Sequence, residues 1–254
     1  MPRSWRRLGH DWEFNVLDIY NYGRAGRLET YFNFIAGNLD MPGDICEAGV
    51  YRGNSLLATA LWLKELGSDK RVIGFDSFKG LPVSHPFDAP ARFTNLARAG
   101  RISQDHHRQV SALWKIRSLM LGELPTPHTI SSCAGDMSDT DLNLLVDKMD
   151  YLGLDNIDIH IGPFRETMVA TNDYIFMAAL MDCDFYESYK TALPYIWEHL
   201  SPGGFVFLDE YYSLKFPGAR IACDMFFENR PEKPQLLSKY PGEFERWGVI
   251  KSAD

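Results

Sequence analysis

An α/β fold with a mostly parallel, doubly wound sheet is predicted by three features of the sequence. Strand-like and helix-like segments alternate from Asp44 onward. Apolar runs such as IFMAALM have the character of buried strands. Glycines and carboxylates fall just beyond these runs, at the carboxyl ends of the strands, where parallel sheets collect ligands.

The elements follow in order. DICEAG (Asp44 to Gly49), after the turn signal MPG, is the first strand, and SLLATALWLKEL (Ser55 to Leu66) is the helix behind it. RVIGFDS (Arg71 to Ser77), NIDIHIG (Asn156 to Gly162) and IFMAALMD (Ile175 to Asp182) are the second, third and fourth strands. YESYKTALPYIWEHL is the next helix despite Pro194, and SPGG is its stop. FVFLDEY (Phe205 to Tyr211) is the fifth strand, Arg220 to Glu228 is helical, and WGVIKS adds a final edge strand. About seventy-five residues separate the second strand from the third, far more than a crossover needs. Within them HRQVSALWKIRSLMLGEL and SDTDLNLLVDKMDYLGL have helical spacing, whereas VSHPFDAPARF is turn-rich. The expectation is one domain over residues 1–254, with an N-terminal helical segment at 1–43 and a helical lid insertion at 83–135.

Composition narrows the function. An apolar content of 45% supports a sizeable core, and a net charge of −8 argues against nucleic acid, whose phosphates demand clustered Lys and Arg. Small molecules and proteins remain as partners. No apolar run reaches the ~18 residues of a membrane span, and the basic opening MPRSWRRLGHDWEF is followed by no apolar signal segment, so a cytoplasmic location is expected. Cys46, Cys133, Cys183 and Cys223 form no CxxC pair and are expected as buried free thiols. The amphipathic stretch LETYFNFIAGNL suggests packing against a second subunit, hence a homo-oligomer.

Four strand ends carry chemistry. EAGVYRGNS (Glu47 to Ser55) brings Gly49 and Gly53 to a turn that lets backbone approach a ligand, although it is no GxGxxG loop. Asp76, ending the second strand, either accepts the hydroxyls of a ribose or caps its own turn, with Ser77 beside it. MDCDFYES places Asp182 and Asp184 after the fourth strand, and Asp209 and Glu210 follow the fifth, 27 residues beyond Asp182. Neighbouring strands bring these four carboxylates together, where mutual repulsion raises their pKa values unless a cation intervenes. Oxygen-only donors suit Mg²⁺, with Mn²⁺ or Ca²⁺ as alternatives; a solvated acidic rim is the competing reading. His85, His106, His107 and His128 all lie in the insertion with no spacing that fixes a site, and surface or packing roles are expected for them.

Taken in order and spacing, EAGVYRGNS, FDSFKGLP, HIGPFRET, MDCDFYES, LSPGGFVFLDEY and FPGARIACDMF resemble the macrocin O-methyltransferase family over roughly Asp44 to Phe227. The resemblance implies a Rossmann-like class I methyltransferase with a seven-stranded sheet. It implies S-adenosylmethionine (SAM) as methyl donor and a sugar hydroxyl of an antibiotic or related glycoside as acceptor. Glu47 and Gly49 would line the methionine part of SAM, with Arg52, Gly53 and Ser55 shaping the loop. Asp76 would hold the ribose with Ser77 adjacent, and Gly162 and Phe164 would lie near the adenine. Asp182, Asp209 and Glu210 would bind the metal, and Asp184 would be the general base. Asp209-Glu210 stands where the family has Asp-Asp, so the second ligand is one methylene longer. Two other readings share the acidic element: a catechol-type O-methyltransferase, and a glycosyltransferase holding a nucleotide sugar through DxD.

Overall fold

The computed structural model describes residues 8–24, 26–122, 135–169, 173–239 and 244–253. Seven strands form one sheet in the order β3-β2-β1-β4-β5-β7-β6. They are β1 (Asp44–Ala48), β2 (Val72–Asp76), β3 (Ile157–Ile161), β4 (Phe176–Met181), β5 (Leu200–Leu208), β6 (Gln235–Lys239) and β7 (Glu245–Ile250). The first five are parallel, while β7 pairs antiparallel with both β5 and β6. Strand order reverses between β1 and β4, which opens the crevice where such sheets bind ligands.

Along β4 side chains divide between two cores. Met177 and Leu180 join the layer of α2 (Glu29–Gly37), α3 (Asn54–Glu65) and α6 (Leu142–Leu152). Phe176, Ala179 and Met181 join that of α8 (Tyr186–His199) and α9 (Pro217–Phe227). All six β4 residues are buried, as two-sided covering requires. Helix α8 runs through Pro194 without ending. Two short helices flank these layers: α1 (Asp11–Leu17) precedes α2, and α7 (Phe164–Thr167) follows β3.

Several expectations change. The helix ends at His199, before SPGG as expected, but SPGG is itself part of β5, which begins at Leu200 rather than Phe205, with Gly203 N donating to Lys251 O and Lys251 N to Gly204 O. Pro202 is tolerated near the start of the strand, where little ladder bonding is forfeited. Asp209–Tyr211 leave the sheet as a 3₁₀ turn. WGVIKS is not the edge; β7 lies between β5 and β6, and β6 takes the edge. The LETYFNFIAGNL segment spends its apolar face inside the chain: Leu28, Tyr31, Phe32 and Ile35 are buried in the core shared with Phe205 and Phe207. That face is therefore not offered to a second subunit.

Within 83–122 the chain forms a 3₁₀ turn (Pro86–Asp88), α4 (Arg92–Arg98) and α5 (Gln104–Leu121). Ser103 caps α5 by accepting the amide of His106, and Gly122 closes it at φ +69°. These helices share a small core of Phe93, Leu96, Ala97, Ile102 and Val110, against which Leu214 and Ile221 pack. His106 is buried, stacks on Tyr212 and pairs its Nε2 with Ser213 O at 2.7 Å. His85 accepts the amide of Phe87, and His107 meets Thr94, so these three have packing or capping roles. His128 and Cys133 lie outside the described residues. Cys46, Cys183 and Cys223 are free and buried, and among the described residues no helix is long and apolar enough to cross a membrane.

Candidate active site

The ends of β1 and β4 meet backbone to backbone. Gly49 has φ +96°, and a Cβ there would lie 1.8 Å from the carbonyl oxygen of Asp182. Only glycine permits both that conformation and that approach. Gly53, at φ +80°, turns the chain into α3. The acid at the end of β2 fastens this loop: Asp76 Oδ2 accepts the amides of Val50 and Tyr51, each at 2.8 Å, and Oδ1 accepts that of Phe78 at 2.7 Å. Asp76 therefore does cap its turn. With a single donor on it, Oδ1 keeps capacity for another.

A cleft of about 570 Å³ opens above these strand ends, within the ~300–1,000 Å³ of small-molecule sites. It brings together Gly49, Asp76, Ser77, Gly162, Phe164, Asp182 and Asp184 from the expected set. Tyr51, Leu81, Val83, Met137, Arg165 and Thr191 also line it and carried no sequence signal. Glu47, Arg52, Gly53, Ser55, Asp209 and Glu210 do not line it. Glu47 lies fully buried, its Oε1 accepting from Ser55 Oγ at 2.7 Å and its Oε2 buried without a partner. Burial pushes its carboxyl up to about 8, against the opposing Ser55 bond and Arg27 charge. Arg52 turns outward to pair with Asp139.

The acidic strand ends converge as expected. Asp182, Asp209 and Glu210 each offer one oxygen, all within 4.8 Å of one another. Asp184 follows at φ +62°, a left-handed conformation that aspartate adopts more readily than most residues with a side chain, and it is buried at the cleft wall. Burial and then the charge of Asp182 raise its pKa to about 8, while Lys215 opposes. Burial and neighbouring carboxylates also push Asp209 and Glu210 upward.

Two residues that the sequence did not single out hold this cluster. Tyr189, one turn into α8, places its hydroxyl 2.6 Å from Glu210 Oε2 and 2.9 Å from Met181 O, and accepts the Glu210 amide at 3.3 Å. Arg27, before α2, donates through Nη1 to Asp182 Oδ2 at 3.0 Å and to Asp209 Oδ2 at 2.7 Å. Burial disfavours the guanidinium charge, but Asp182, Asp209 and Glu210 outweigh it and raise the Arg27 pKa. The place among these acids thus accepts a cation. Among the described residues Asp209 Oδ1 has no hydrogen-bond partner, and all donors are oxygens, so the residues fit a hard divalent cation.

Comparison with known proteins agrees with the six sequence blocks. The family model described as Macrocin-O-methyltransferase (TylF) matches residues 2–116 and 137–236. The Mycinamicin III 3''-O-methyltransferase of Micromonospora griseorubida is 29% identical over 215 residues, covering 82% of this chain and 68% of that protein. The 8-demethyl-8-(2,3-dimethoxy-alpha-L-rhamnosyl)-tetracenomycin-C 4'-O-methyltransferase of Streptomyces olivaceus is 26% identical over 213 residues, covering 81% and 67%. Among solved structures, CalS11, a calicheamicin methyltransferase, superposes with a TM-score of 0.61 at 21% identity over 89% of this chain and 77% of its own, a likeness of fold. The DxD element is accordingly not that of a glycosyltransferase. A cleft fed by β1, β2 and β3 on one side and an acid cluster on β4 and β5 on the other are what remain to be explained, and the match over most of the chain explains both: the chain belongs to the macrocin O-methyltransferase family and is an O-methyltransferase.

Proposed function

We propose that the protein transfers the methyl group of SAM to a sugar hydroxyl of a glycosylated small molecule, with a divalent cation, Mg²⁺ first, held by Asp182, Asp209 and Glu210. The observation that carries this reading is the single cleft joining Asp76 and Gly162 to Asp182 and Asp184. Both curated relatives described above are named for methylating hydroxyls of glycosylated natural products, which favours a sugar over a catechol.

The chain's own groups have definable tasks. Asp76, with capacity on Oδ1, holds a ribose hydroxyl; Gly162 and Phe164 border the adenine. Gly49 borders the methionine end, its backbone forming part of the cleft wall. A bound divalent cation would lower the acceptor hydroxyl's pKa and fix its position. Asp184, at the cleft wall, takes the hydroxyl proton, a contribution of typically ~10²–10⁴ in rate. Alignment of acceptor oxygen with the methyl carbon supplies much of the rest through effective molarity. The described part of the insertion, residues 83–122, acts as a lid that excludes water and grips the sugar, Val83 and Leu81 being cleft walls on that side.

The test is isothermal titration with S-adenosylhomocysteine, with and without Mg²⁺, followed by a screen of glycosides for methyl transfer. Micromolar binding is expected; no binding in either condition would refute the donor assignment.

A further inference from the structure

Every anion-rich site needs a counter-charge, and here the chain supplies one from outside the sheet. Arg27 belongs to the segment between α1 and α2, residues 18–28, whose described residues form no helix or strand. The segment is anchored on both sides of Arg27: Leu28 N donates to the hydroxyl of Tyr20, and Tyr20 N donates to Asn54 O. Its guanidinium then crosses to Asp182 and Asp209, residues 155 and 182 positions away in sequence.

The two oxygens it engages, Asp182 Oδ2 and Asp209 Oδ2, belong to two of the three acids that could hold a metal. A carboxylate-bound Mg²⁺ stands ~2.0–2.1 Å from its oxygens. One guanidinium nitrogen 2.7 Å from Asp209 Oδ2 and 3.0 Å from Asp182 Oδ2 contests any metal position that uses these oxygens. Coulomb repulsion between a divalent ion and a guanidinium a few ångströms apart adds to the steric conflict. Nor does Arg27 satisfy the cluster completely, because among the described residues Asp209 Oδ1 has no hydrogen-bond partner. The Arg27 side chain keeps about a third of its surface exposed (32%), so a way out to solvent exists.

We propose that Arg27 is the resident counter-cation of the acid cluster in the metal-free protein and is displaced when a divalent cation binds, which releases the 18–28 segment from the site. The proposal rests on the metal role assigned above to Asp182, Asp209 and Glu210. It makes ion uptake an exchange of one cation for another. Metal occupancy is thereby coupled to the position of the N-terminal segment.

The test is a titration of the full chain with Mn²⁺, read by calorimetry and by the Mn²⁺ electron-spin signal. Arg27→Gln removes the competitor and is expected to bind Mn²⁺ at least tenfold more tightly than wild type. Adding Asp182→Asn to that variant should abolish the gain. A second readout needs no variant: on Mn²⁺ addition to wild type, backbone amides from Tyr20 to Leu28 should exchange hydrogen for deuterium severalfold faster. Equal or weaker Mn²⁺ binding by folded Arg27→Gln overturns the proposal while leaving the metal reading in place, and so does unchanged exchange in Mn²⁺-bound wild type. If neither protein binds Mn²⁺, the metal reading falls and the exchange with it.

Discussion

Replacing Gly49 with alanine tests how closely the donor and acid halves of the site are joined. The added Cβ would lie 1.8 Å from Asp182 O, 2.7 Å from Asp182 C and 3.3 Å from Cys183 Cα, all of it backbone that no rotamer change can move. Relief needs the ends of β1 and β4 to part by about an ångström, since carbon–oxygen contacts tighter than ~3 Å are not sustained. That motion loosens the bond from Asp182 N to Ala48 O, now 3.0 Å. The left-handed conformation costs ~1–2 kcal/mol and the overpacking ~1–3 kcal/mol, together about 2–5 kcal/mol. Against a typical total of ~5–15 kcal/mol the protein should still fold, but marginally. Urea denaturation is the assay: with a slope of ~2 kcal/mol/M the midpoint falls by about 1–2.5 M. Gly67 supplies the control, because it has φ +68° with nothing within 4 Å of its Cβ position. Gly67→Ala should show the conformational part alone, ~1–2 kcal/mol. S-adenosylhomocysteine affinity should fall in Gly49→Ala and hold in Gly67→Ala. Equal midpoints for the two variants, with donor affinity intact in both, would refute the close approach of the strands.

Three further outcomes are expected. Asp184→Asn should keep S-adenosylhomocysteine binding within a few fold while turnover falls by ~10²–10⁴, and near-normal turnover would remove Asp184 as the base. Tyr189→Phe takes a hydroxyl from the buried Glu210 carboxylate and should cost ~1–3 kcal/mol in a denaturation experiment. The same variant should weaken Mn²⁺ affinity by ~10–100-fold in a titration, and unchanged affinity would show that Glu210 needs no such orientation. Glu47 predicts a pH dependence: its carboxyl stays protonated in the folded chain up to about 8, whereas in the unfolded chain it ionises near its ordinary value of 4.5. The folded state therefore holds the extra proton, so this contribution is complete below about 4.5 and is lost as pH rises toward 8. Glu47→Gln should flatten the fall in urea midpoint between those pH values; an identical slope in wild type and variant would show that Glu47 is ionised when folded.

The parts of the fold legible in the sequence are those where burial leaves a pattern. Strands β1, β2 and β4 are covered on both faces and show as apolar runs, and α6 is announced by the Asp141 cap and Gly153 stop. The edge strand β6 is not: its residues QLLSK are mostly exposed, so no periodicity marks them. SPGG has the composition of a stop, and only pairing with Lys251, some fifty residues later, makes it strand. In the site, Asp76, Asp182, Asp184, Asp209 and Glu210 were visible because carboxylates after apolar strands are unusual. Arg27 and Tyr189 were not visible. An arginine in an irregular segment and a tyrosine within a helix are ordinary in sequence, and become functional only through contacts that the folded topology creates.

The first helix layer to be made is among the last that can be put in place. Tyr31 and Phe34 of α2 pack on Phe207 and Phe205 of β5, with ring centroids 6.4 and 4.9 Å apart. During synthesis at ~5–20 residues per second, roughly ten to thirty-five seconds pass between a residue of α2 and its partner on β5. Until then Tyr31, Phe32 and Ile35 lack the Phe205 and Phe207 part of the sheet they cover, and a nascent chain presents that apolar surface to whatever holds unfolded polypeptides. The long reach of these contacts also slows the final closure, because the loop between them must be closed before their burial repays it. Docking of α2 thus waits for β5, and fluorescence of a probe at α2 should report the slowest step of refolding.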